Sequence, residues 1–332
     1  MRKTGYWTLV IVVLGAVLAA AAIVSLAVGA VSIPLWSLPS VLAGADSVER
    51  NILLRIRLPR IVLGFAVGGS LSVAGVILQG MFRNPLVEPY TLGISGGAAL
   101  AVCIGIVFGF SRVLGTYALP VAGFAGALLV VILLYTLSMR RRAVRIQHLL
   151  LTGVMISFVV SSLIMLFMAV AKTDDLQGIV FWTMGSLDRS DTVLMIIAFV
   201  TSIAGLGGAL VFSRDLNALM VGEEDAMHLG VNIEFVKRAL FIIASVLTGV
   251  AVAVGGVIGF VGLLVPHIMR RITGSDHRVL IIASFLAGAA FLILSDTVAR
   301  MIIAPLELPV GVITGIAGGI LFIILLSRKR AA

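Results

Sequence analysis

Residues 239–269 contain no Asp, Glu, Lys or Arg. A helix that crosses the hydrocarbon core of a bilayer needs about 20 mainly apolar residues and satisfies its backbone groups internally. A charge-free run longer than that holds either two segments or one that is broken. Gly255, Gly256, Gly259, Gly262 and Pro266 lie in or beside this run. We therefore divide it at the glycine pair and expect a short or broken helix in the later half.

The earlier half gives a span near 238–255, and other apolar runs fit one span each, near residues 8–30, 61–81, 92–110, 117–138, 148–170, 192–212, 279–298 and 309–327. The composition, 61% hydrophobic and 12% charged over 332 residues, is too apolar for a soluble domain. A β-barrel would need segments of about ten residues alternating apolar and polar, whereas these runs are apolar on every face. The expected fold is all-α: a polytopic membrane protein with about ten transmembrane helices, forming one domain over residues 1–332.

Charge placement gives the orientation. With both termini cytoplasmic, 16 of the 24 basic and 7 of the 15 acidic residues fall in inner segments, and Glu88 is counted among those inner acids. The inner side then carries the whole net charge of +9, as the positive-inside rule requires. The basic residues are dispersed and lack aromatic interleaving, so no nucleic-acid partner is expected. A signal peptide competes for the first run, because Arg2 and Lys3 precede it and Ala27–Ala30 offers small residues. The run is longer than a typical signal core, and we expect it to be retained. Cys103 is the only cysteine, which excludes an intramolecular disulfide and a cysteine-based metal cluster.

Little in the chain reads as reaction chemistry. No GxxxxGK[ST] phosphate loop occurs. His148, His228, His267 and His277 form no HExxH arrangement, and a structural or interfacial role suits each better than metal ligation. No catalytic residue and no metal ligand is expected. A secondary carrier would need an intramembrane ion site or an inverted repeat, and no such ionisable site is visible; a membrane enzyme would need a convergence of nucleophiles, acids or ligands, and no such cluster presents itself. Asp296, four residues before Arg300, reads first as an internal ion pair near the outer surface. Glycines at four-residue spacing, Gly64 and Gly68, Gly93 and Gly97, and Gly311, Gly315 and Gly319, read as helix-packing surfaces.

The distinctive segments are loops. Across about 214–234, on the cytoplasmic side, two short helices can be drawn. Leu216, Leu219 and Met220 form an apolar edge. A second helix starts at Gly222, with Glu223, Glu224 and Asp225 in its first turn where the dipole favours acids, and ends at Gly230. A merely solvated loop needs no such edge. Asn84-Pro85 is a turn signal. Arg55, Arg57 and Arg60 break the positive-inside pattern on the outer side, where snorkelling is the plain account. The outer segment, about 171–191, contains Trp182 and Met184, suited either to a large planar ligand or to core packing.

Four stretches together resemble the FecCD-type permeases, the membrane subunits of ATP-binding cassette importers for iron-siderophores, haem and cobalamin. They are RIRLPRIVLGFAVGGSLSVAGVILQGMFRNPLVEPYTLGISGGAAL at 55–100, GEEDAMHLGVN at 222–232, GGVIGFVGLLVPHIMRRITGSDHRVL at 255–280 and SDTVARMIIAPLELPVGVITGIAGG at 295–319. They run in family order and span almost the whole chain. The resemblance implies a homodimer in a bacterial or archaeal cytoplasmic (inner) membrane. Two ATPase subunits would dock below and carry ATP and Mg, a substrate-binding protein would dock outside, and no cofactor would sit on this chain. It implies ATPase coupling through Glu223, Glu224, Asp225, Ala226, Leu229 and Gly230. Binding-protein docking would fall to Arg57, Arg60 and Arg300, and a cytoplasmic gate to Asn84 and Leu86, with Arg145 and Ile146 as a second constriction. A ferric siderophore ranks first as cargo, then haem or cobalamin, with smaller oxyanions last.

Overall fold

The computed structural model describes residues 3–29, 33–37, 41, 47–139, 146–188 and 191–327. Its principal helices follow the apolar runs: α1 (Lys3–Ala27), α2 (Leu58–Met81), α3 (Ile94–Val107), α4 (Ala118–Met139), α5 (Ile146–Val170), α6 (Thr173–Thr183), α7 (Thr192–Val211), α8 (Ser213–Val221), α9 (Glu223–His228), α10 (Ile233–Gly255), α11 (Val261–Thr273), α12 (His277–Ala299) and α13 (Val310–Ser327). Seven of the described helices are long and apolar enough to cross a membrane. The shorter α3 and α13 and the broken α11 complete the ten expected segments.

Local chemistry sets the boundaries. Pro59 follows a π-helical stretch over Ile52–Arg57 that runs without a break into α2, so the missing N–H falls where the bonding pattern shifts from π to α. Asp191 Oδ1 accepts the Val193 and Leu194 N–H groups at 2.9 and 3.0 Å and starts α7. Asn232 and Asp276 cap α10 and α12 in the same way.

α2 is the central column. Its most apolar window is 89% buried, against 72% for α10 and α12 and 11% for α5, so α2 meets protein on all sides while α5 keeps a broad apolar face uncovered. α12, α10, α7 and α11 pack around α2. The α2–α12 contact depends on small residues: a methyl on Gly68 would collide with the Gly288 carbonyl. Gly64 against Ile293 and Gly97 against Gly126 act likewise. Two other positions of the four-residue spacing do not pack helix on helix within the chain. Gly93 is a turn residue at φ +77°, and Gly315 faces open space.

The predicted break lies between α10 and α11, where Gly256 adopts φ +70°. Irregular backbone at membrane depth must find partners within the protein. Tyr90 Oη accepts from Ile258 N at 2.9 Å, and the Glu88 carboxylate accepts from Phe260 N at 2.7 Å, holding Phe260 at φ +67°. Pro266, inside α11, has no N–H to offer the Gly262 carbonyl four residues back. Gln79 Nε2 takes that place, donating to Gly262 O at 3.2 Å and Leu263 O at 3.3 Å.

These contacts correct the expectation for Glu88. The segment after α2 does not stay at the inner surface: Pro89 packs on Gly262, which also meets the Leu71 carbonyl. Leu71 lies ten residues before the end of α2, so the loop re-enters the bundle by roughly 15 Å. Glu88 is a carboxylate among the helices rather than an inner-surface charge.

Candidate functional site

The cytoplasmic segment folds as drawn, into α8 and α9, but its side chains divide differently. Leu216 and Leu219 are buried against the bundle and seat α8, each contributing about 1.5–3 kcal/mol. Ala226 is also fully buried. Glu223 turns inward as well: its carboxylate meets Lys237 Nζ at 2.6 Å, and Lys237 is only 5% exposed on α10. This acid, its own side chain still 37% exposed, is therefore a brace for a buried ammonium. Glu224, Asp225, Leu229 and Gly230 remain outward. Gly230, at φ +83°, ends α9 in a Schellman motif, in which Gly230 N donates to Met227 O and Val231 N to Ala226 O. The result is a rigid projection bearing three exposed apolar side chains, Val221, Met227 and Leu229, beside two free-facing acids.

At the outer end, Arg57, Arg60 and Arg300 are all at least 94% buried. Arg57 hydrogen-bonds the Leu26 carbonyl at the end of α1. Arg60 meets Glu307 at 2.5 Å and Asp296 at 3.9 Å. Arg300 lies 3.0 Å from Asp296 and donates to Ser25 Oγ at 2.8 Å and Thr297 Oγ1 at 3.3 Å. The Asp296–Arg300 pair expected from spacing is present, within a larger cluster that ties α1, α2 and α12 together. Snorkelling does not describe Arg57 and Arg60, while Arg55 is exposed. Glu307, with its side chain 46% exposed, is the member open to the outside. It also lines a cavity of about 210 Å³ with Phe181, Trp182, Ser186 and Asp188. Trp182 is a core residue at the floor of the outer segment, and Met184 is more exposed.

At the inner end of α2, Asn84 Oδ1 accepts from Leu86 N at 3.0 Å, an Asx-type turn that leaves Leu86 half exposed. Ile146 opens α5, and Arg145 lies outside the described residues. Two partners were not legible in the sequence. Glu307 is 247 residues from Arg60, and Lys237 stands beside Glu234 and Arg238, which pair with each other at 3.2 Å, so no local pattern joined either to its mate. Among the described residues no group of three or more His, Cys, Asp or Glu is placed to hold a metal ion.

Known proteins resemble the chain over most of its length. The model of the FecCD transport family matches residues 17–328. The hemin transport system permease protein HmuU of Yersinia pestis is 41% identical over 284 residues, 84% of each chain. The cobalamin import system permease protein BtuC of Halobacterium salinarum is 40% identical over 287 residues, 86% of this chain and 76% of that one. A solved structure described as a metal-chelate type ABC transporter in an inward-facing conformation superposes with a TM-score of 0.86 at 32% identity. The match covers 96% of this chain and 98% of that one.

Proposed function

This chain belongs to the FecCD transport family and is a permease subunit of an ATP-binding cassette importer in the cytoplasmic (inner) membrane, and from that premise we propose that a homodimer of it carries a ferric siderophore or related metal chelate. An ATPase subunit and a substrate-binding protein are the partners such a permease requires. We assign ATP and Mg to the ATPase, since this chain has no phosphate loop of its own.

The observation that carries the reading is the α8–α9 projection. Apolar side chains exposed at a cytoplasmic loop gain nothing from water and have no lipid to cover them. Val221, Met227 and Leu229 therefore fit a cleft on the ATPase, with Glu224 and Asp225 selecting complementary charge at its rim. Ala226, Gly230 and the Glu223–Lys237 pair keep the projection rigid, so motion of the ATPase is passed to α10 and α12 rather than absorbed. Asn84 and Leu86 would narrow the inner end of the pathway, with Arg145 and Ile146 as the second constriction. The homodimer is supported by α5, whose apolar face the chain leaves uncovered, and by α13, where Gly315 opens beside exposed Ile316 and Ile320.

At the outer end the docking role of Arg57, Arg60 and Arg300 takes a specific form. A carboxylate of the binding protein displaces Glu307 from Arg60, while Asp296 holds the guanidinium in place. Glu307→Gln weakens the internal competitor and is expected to tighten binding-protein affinity about fivefold, read on the permease in nanodiscs. Unchanged affinity would argue against Arg60 as a contact.

Haem is a second reading, favoured by the 41% identity to a hemin permease and by the Phe181 and Trp182 walls of the outer cavity. The deciding experiment reconstitutes permease, ATPase and binding protein in liposomes and follows ATP-dependent uptake of ferric siderophore, haem and cobalamin in parallel. Siderophore uptake is expected. Uptake of haem alone supports the second reading, and no uptake by a hydrolysing complex removes the large chelates as cargo.

A further inference from the structure

The side chain of Asn217, half-buried in the middle of α8, makes three contacts with residues about sixty positions away. Its Nδ2 donates to Asp276 Oδ1 at 3.0 Å, and its Oδ1 accepts from His277 N at 2.9 Å and lies 2.8 Å from His277 Nδ1. The chemistry fixes every orientation. A carboxylate only accepts, so the amide nitrogen faces Asp276; a carboxamide oxygen only accepts, so the imidazole carries its proton on Nδ1. Arg278, hydrogen-bonded to Asp276, holds that carboxyl well below the usual carboxylate range and keeps it an acceptor. His277 is fully buried, with Nε2 directed at Gly80 on α2.

This joint stands at the first turn of α12. The helix runs 23 residues, about 35 Å, to the opposite face. There Asp296 and Arg300 enter the ion cluster with Arg60. α12 thus has a polar clasp at each end, one on the cytoplasmic segment and one on the outer arginines. The apolar contacts of Leu216 and Leu219 seat α8 but are non-directional; the Asn217 bonds are directional and so fix the position of α8 along α12.

We propose that Asn217 is the positioning residue through which displacement of the α8–α9 projection enters α12, and through α12 reaches the outer ion cluster. The inference rests on the reading that this projection docks the ATPase. The role of Asn217 is exercised through His277 and Asp276.

The test uses the assembled importer in liposomes. Asn217→Leu keeps the volume and removes all three contacts. ATPase co-purification and basal hydrolysis are expected to persist, while cargo transported per ATP and stimulation of hydrolysis by the binding protein fall about tenfold. Asn217→Asp sets two carboxylates against each other and should show the same loss. Adding Asp276→Asn to it exchanges donor and acceptor, leaves α12 a good cap, and should restore coupling. A structural requirement alone would lower assembly or thermal stability without moving the transport-to-hydrolysis ratio. The proposal is overturned if Asn217→Leu transports at the parental ratio, or if the exchanged pair assembles and folds but stays uncoupled. Leu229→Asp is run beside them. ATPase retention in that variant would refute docking at this projection, a result distinct from an unchanged ratio with docking intact.

Discussion

Leu229→Asp is expected to abolish ATP-dependent uptake while leaving the permease folded. Leu229 is 71% exposed, so the fold owes it little, and thermal unfolding of the variant should match the parent within about 1 kcal/mol. It sits at the cap of α9, between the last helical residue and Gly230, on the same projection as Val221 and Met227. If that apolar group fills a cleft on the ATPase, a carboxylate placed there is desolvated without a partner. A penalty of about 3 kcal/mol corresponds to a more than 100-fold weaker complex. The ATPase should therefore fail to co-purify. Leu229→Met, which keeps the apolar volume, should retain most uptake. An Asp variant that still holds its ATPase would mean that the cytoplasmic face engages the engine elsewhere.

Much of the fold was legible because lipid imposes one rule on every span. Continuous apolar length located the ten segments, and the charge-free run with its glycines located the break. α8 and α9 were legible for a different reason: acids at the start and glycine at the end are local signals of a short helix. The division of labour inside the sites was not. Glu223, Glu224 and Asp225 are equivalent as a string of letters, yet helical rotation turns the first toward Lys237 and leaves the other two in solvent. Arg60 and Glu307 meet only because α2 and the α12–α13 connection pack side by side. Glu88 is the sharpest case. The turn signal at Asn84-Pro85 marks where the chain reverses but says nothing of how far the returning segment climbs, to the level where Tyr90 and Glu88 accept the N–H groups that the helix break leaves on Ile258 and Phe260.

The helix break and the cytoplasmic segment are mechanically connected through the same column. Gln79 near the inner end of α2 supports α11, and Gly80 beside it leaves room for the ring of His277 on α12. A movement entering α12 at its first turn therefore meets α2 at the level where α2 already holds the broken helix. Replacing small residues there would change how far the two helices can slide, since dense packing transmits displacement rather than yielding to it.

The largest loss of stability is expected from Asp296→Ala. Asp296, Arg60 and Arg300 are exposed by only 5, 6 and 4%. Removing the carboxylate leaves Arg300 with two hydroxyl partners and Arg60 with Glu307 alone, so two buried guanidiniums face each other across a cavity. Breaking a buried ion pair from one side costs about 3–5 kcal/mol, because the remaining charge is neither solvated nor paired. The effect should appear as a marked drop in the unfolding midpoint in detergent, and as loosening of α1, which Arg300 anchors through Ser25. The double variant Asp296→Leu with Arg300→Met removes both charges and keeps most of the volume, and it should recover most of the lost stability. Transport then separates structure from function. If the double variant is stable but no longer responds to the binding protein, the cluster serves docking or its relay. If it transports normally, the three buried arginines are there to hold the helices together.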